Sequence, residues 1–81
     1  MQLPVVHLNG SNRETLQQEY YEAWKAVRAA QRAVGAVECH PRDYYVAGDH
    51  AWAEAHDARL HVLQKLQDVV EYLEMHVMHL A

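Results

Sequence analysis

Eighty-one residues bound the chain to one domain, and eleven acidic against seven basic side chains, a formal charge of -4, argue against a broad DNA-coating surface while leaving room for a local basic patch. One cysteine excludes an intrachain disulfide or a cysteine-built zinc site and suits a reducing cytoplasm. With no long uninterrupted apolar run and no basic-then-apolar leader pattern, a chain that neither spans a membrane nor is exported is expected.

Leu3-Pro4-Val5-Val6-His7-Leu8 is a short β-prone run in which Pro4 denies one backbone donor, so it reads as an edge strand or an extended arm. Asn9-Gly10 turns the chain, and Ser11-Asn12-Arg13-Glu14 reads as a capping box, with Leu8 and Leu16 as a loose staple. The first helix is predicted from Asn12 to Glu38, with a seam of Leu16, Tyr20, Ala23, Val27, Ala30 and Val34 that continues to Val37. Gly35 weakens its last turns by about 1 kcal/mol relative to alanine.

His40-Pro41 ends that helix, because the residue before proline avoids the helical region. The connector, residues 39–48, is longer than a hairpin needs and carries Tyr44, Tyr45 and Val46. Asp49 is the expected cap of the second helix. Residues 50–80 then run without Gly or Pro, and Leu63, Leu66, Val70, Leu73, Val77 and Leu80 form one stripe at three-four spacing. Extended backwards, the stripe reaches Arg59, His56 and Trp52. Val69, Tyr72, Met75 and Met78 lie off it, and a helix apolar on more than one face wants more than one neighbour.

The predicted fold is all-α: an antiparallel helical hairpin with a short extended N-terminal arm over residues 1–10, helices over 12–38 and 49–80, and a connector over 39–48. Two such rods, each about 40 Å or longer, bury only their facing stripes, so assembly into a helical-bundle homo-oligomer is expected.

Tyr21, Lys25, Arg28 and Arg32 line one stripe of the first helix, and Arg42, Tyr44 and Tyr45 repeat that chemistry in the connector. Tyrosine faces stack bases, and arginine forks hold phosphate oxygens. Taken alone, the helix-1 cations read first as an ordinary solvated face that pairs with acids such as Glu54 and Asp57, whereas Arg42-Asp43 equally suits a local salt bridge under tyrosines that close the bundle end. His50, Glu54, Asp57 and His61 share one face, and His76 and His79 sit beside Glu71 and Glu74. No Glu-x-x-His spacing occurs, so solvated or interfacial histidine is expected, with no metal and no cofactor. A buried histidine cluster would make assembly sensitive to pH. Ser11 has no activating base, Cys39-His40 are neighbours only in sequence, and no phosphate loop follows Gly10, so no enzyme is expected.

His7-Leu8-Asn9-Gly10-Ser11-Asn12-Arg13-Glu14, together with Arg42-Asp43-Tyr44-Tyr45 and Gly48, resembles a family of small helical-hairpin proteins carried by bacteriophages and prophages. In size and architecture the chain is also similar to phage anti-CBASS and anti-Thoeris hairpin proteins. That similarity implies a non-catalytic oligomeric sponge that sequesters a small anionic nucleotide immune signal between subunits, in the cytoplasm of an infected or lysogenic bacterium. The ligand-binding residues it implies are Arg42, Tyr44, Tyr45, Lys25, Arg28 and Tyr21. The alternative is a small acidic inhibitor or assembly factor that uses its C-terminal apolar stripe on a host or phage protein. Direct nonspecific nucleic-acid binding is the least favoured outcome for an acidic chain.

Overall fold

A computed structural model of the protein describes residues 1–6, 12–48 and 50–81. It is all-α, and no strand occurs among the described residues. Two long helices, α1 (Arg13–Ala36) and α2 (Ala51–His79), are bridged by a 3-10 helix (Pro41–Ala47) where an irregular connector was expected. Three helical segments therefore occur among the described residues. None of them is long and apolar enough to cross a membrane.

The cap of α1 is Asn12, whose side-chain oxygen accepts from the Thr15 amide at 3.1 Å. Asparagine caps as well as serine does, so the helix begins one residue later than the capping-box reading proposed. Ser11 and Leu8, the other partners in that reading, lie outside the described residues, as does Asp49, the expected cap of α2. His50 occupies the α2 cap position and makes no side-chain capping bond.

Pro41 opens the 3-10 helix, and the His40 ring Nδ1 accepts from the Arg42 amide at 3.1 Å. Gly48 leaves that helix at φ 112, ψ 172, a backbone conformation that side chains rarely tolerate.

Contacts between α1 and α2 run in reverse chain order. Gln17 donates to the Val77 carbonyl at 3.1 Å, Gln31 to the Gln67 side chain at 2.9 Å, and Arg59 to the carbonyls of Gly35 (2.7 Å) and Val37. Two of these contacts do the same job at opposite ends. The last carbonyls of a helix have no partner within it, and here each helix supplies a side chain to the other's C-terminus. Arg59 matters more, because α1 has no basic residue in its own last turn to meet the negative end of its dipole.

Among the described residues the buried ones are Val70, Leu73 and His76 in the last three turns of α2 and Leu80 at its C-cap, and α1 has none. The α2 stripe from Leu63 to Leu80 is buried or half-buried throughout. The α1 seam differs from the expected one. Ala23 and Ala30 are exposed, and the half-buried positions are Leu16, Gln17, Tyr20, Trp24, Val27, Arg28, Gln31 and Val34. Trp24 carries far more apolar area than Ala23, and Gln31 gains a bonded partner in Gln67, so the packed face rotates toward them.

The N-terminal residues 1–6 have neither helix nor strand. They lie against the α2 C-terminus, where His79 Nε2 donates to the Pro4 carbonyl at 2.9 Å. The result is a rod of 62 × 21 × 15 Å. Its radius of gyration of 18.4 Å contrasts with about 12 Å for a compact domain of this length.

Candidate binding surfaces

The residues expected to bind ligand fall into two groups. On α1, Tyr21 stacks on Trp24 (centroids 5.9 Å apart, 15° between planes), and Lys25 reaches over the Tyr21 ring at 5.2 Å while pairing with Glu22 at 3.2 Å. Tyr21 and Trp24 line a shallow groove of about 180 Å³ with Glu74, Val77 and Met78. Arg28 is directed elsewhere. It donates to Gln31 at 2.8 Å, and the chain of bonds continues through Gln67 to Glu71. Arg32 is exposed.

The second group surrounds the 3-10 helix. Tyr44, Tyr45 and Trp52 line a groove of about 330 Å³ with Pro41 and Gly48. Tyr44 is half-buried and also borders a second groove of about 320 Å³ floored by Val34, Val37, Ala55, Ala58 and Val62. Tyr45 is 76% exposed. Arg42 stands beside Glu38 at 3.8 Å, both side chains largely in water, rather than pairing with Asp43. Tyr21 is more than 20 Å along the rod from the end of α1 and Arg28 about 12 Å and turned to Gln31, so one copy does not bring Tyr21, Lys25 and Arg28 to Arg42, Tyr44 and Tyr45.

The histidines divide by environment. His61 meets Asp57 at 3.5 Å on an exposed surface. His76, expected at a solvated surface or an interface, is 2% exposed. Its ring stacks on Tyr20 (4.5 Å, 27°) and tilts against Tyr72 (4.4 Å), and its Nδ1 donates to the Tyr72 carbonyl at 2.8 Å. With His79 turned to Pro4, the two rings make separate contacts. No group of three metal-ligating side chains occurs among the described residues.

Sequence reasoning missed the burial of His76 and the capping role of Arg59. The first was readable, because His76 lies three residues after Leu73 and four before Leu80, on the packed side of α2. The second depends on the register between helices. The C-terminal stripe offered to a host protein is largely covered by α1, while Val62, Val69 and Tyr72 stay 43–45% exposed on one flank of α2. Leu60, Met75 and Met78, also exposed, lie on other sides of that helix.

Comparison of the chain with protein-family models, with curated proteins and with solved structures found no match.

Proposed function

We propose that the protein is a non-catalytic binding protein that works as an assembly of its own copies, each contributing its helices to a shared bundle. Surface carries this reading. The chain exposes 6258 Å², roughly 1,200 Å² more than the compact-monomer value for 9.4 kDa. A standard protein interface hides about 800 Å² per partner, so the surplus is of the size that association removes. Sedimentation across about two decades of concentration is expected to give a helical oligomer. A well-folded single copy at every concentration would overturn the proposal.

A second reading is favoured by the aromatic groove at the 3-10 helix. Tyr44, Tyr45 and Trp52 offer flat faces, and Arg42 stands on the same 3-10 helix as the two tyrosines with its guanidinium near Glu38, chemistry that suits a small anionic nucleotide. In this reading the protein sequesters a nucleotide immune signal for a phage in a bacterial host, with Tyr21, Lys25 and Arg28 contributed by a neighbouring copy. Native mass spectrometry with cyclic dinucleotides and ADP-ribose derivatives is the test. One bound ligand per chain, lost in Arg42→Ala without loss of the oligomer, is the expected result. A panel that leaves the protein unliganded removes this reading and leaves self-association intact.

A further inference from the structure

We infer that a second copy seats on the flank of α2 formed by Ala55, Ala58, Val62, Lys65, Val69 and Tyr72, with the two α2 helices antiparallel about a two-fold axis. The inference rests on the self-association reading above and names its surface.

These six positions step by three, four, three, four and three, so they make a second straight stripe beside the one packed on α1. Val34 and Val37 of α1 border the same side, as the groove they share with Ala55, Ala58 and Val62 demonstrates. Together they form a two-helix apolar face. The opposite side of the pair carries the bonded row from Arg28 through Gln31 and Gln67 to Glu71 and, nearer the α2 C-terminus, the short groove of Tyr21, Trp24, Glu74, Val77 and Met78. The outer side of α2 carries Asp57, His61, Gln64 and Asp68, which meet in two pairs, His61 with Asp57 and Gln64 donating to Asp68. Among the described residues this is the longest exposed apolar face, the groove of Tyr21, Trp24, Val77 and Met78 being shorter and bordered by Glu74, and the surplus surface exceeds what one standard interface hides.

The stripe is also graded in size. Its N-terminal half holds Ala55 and Ala58, and its C-terminal half holds Val69 and Tyr72. A two-fold axis requires that if residue i meets residue j, then j meets i. The step pattern reads the same in both directions, so an antiparallel register sets Ala55 opposite Tyr72, Ala58 opposite Val69, and Val62 opposite Lys65. Small then faces large along the whole stripe, which is how facing helices fill space. The Lys65 stem covers the opposing Val62 while its ammonium stays in water. A parallel pairing would set tyrosine on tyrosine at one end and leave an alanine gap at the other.

The test compares sedimentation of the wild type, V62E/V69E and M75E/M78E, with helicity followed by circular dichroism. V62E/V69E is expected to stay helical and to weaken association by about a hundredfold, because it places charges in a dry interface. M75E/M78E is expected to associate as the wild type does. A Cys39→Ser background carrying Ala55→Cys and Tyr72→Cys is expected to oxidise to a covalent dimer. Within one chain those positions are about 25 Å apart, too far to bridge. Replacing Tyr72→Cys with Met75→Cys in that pair should abolish the dimer.

A wild type that never associates overturns both this inference and the reading beneath it. A wild type that associates while V62E/V69E does so equally, or while M75E/M78E dissociates, overturns this surface alone. If V62E/V69E loses its helices, the cysteine pair decides: failure to cross-link Ala55→Cys to Tyr72→Cys overturns the surface.

Discussion

Arg59 is half-buried on the inner stripe of α2, yet its guanidinium serves the last carbonyls of α1. A charged donor to otherwise unpaired carbonyls at the negative end of a helix contributes about 1–2 kcal/mol. Arg59→Met keeps the stem and removes the fork, so thermal unfolding should report a loss of that size, with helicity falling first near residues 34–37. Leu73 makes a different kind of contribution. It is 7% exposed, among the buried residues clustered at the C-terminal end of α2. Leu73→Ala should cost about 2–4 kcal/mol by leaving a cavity, measured by denaturant titration.

At the scale of elements, two glycines respond oppositely to the same substitution. Gly35 sits inside α1 at an ordinary helical position, and Gly48 leaves the 3-10 helix at φ 112; neither has an atom within 4 Å of an added Cβ. Space is therefore not the issue. Gly35→Ala should stabilise by about 0.5–1 kcal/mol through helix propensity. Gly48→Ala should destabilise by about 1–2 kcal/mol through backbone strain, both read as shifts in melting temperature.

The elements also differ in how far the sequence revealed them. The α2 stripe was legible because leucines and valines at three-four spacing leave a single choice of face. The α1 seam was not, because Ala23, Ala26, Ala29, Ala30 and Ala33 mark nearly every side of that helix as mildly apolar. The ring of Trp24 then decided which side packs. The break at Pro41 was legible, but winding of the connector into a 3-10 helix was not, since a proline that stops one helix also starts the next. Of the candidate binding residues, the chemistry was visible and the grouping was not. Which side chains meet depends on register, and in this molecule Tyr44 and Tyr45 join Trp52 rather than Tyr21.

At the scale of the whole molecule, the buried residues are distributed unevenly along a 62 Å rod. Val70, Leu73, His76 and Leu80 hold one end together, whereas the end that bears the 3-10 helix has no fully buried residue among those described. Local opening is easiest where little apolar surface is lost. Backbone amides of residues 30–36 and 51–58 should accordingly exchange with deuterium faster than those of 66–76, in an order that sedimentation conditions favouring the single copy would sharpen. The protein would then come apart like a zip from its turn, and its two tips would remain paired longest.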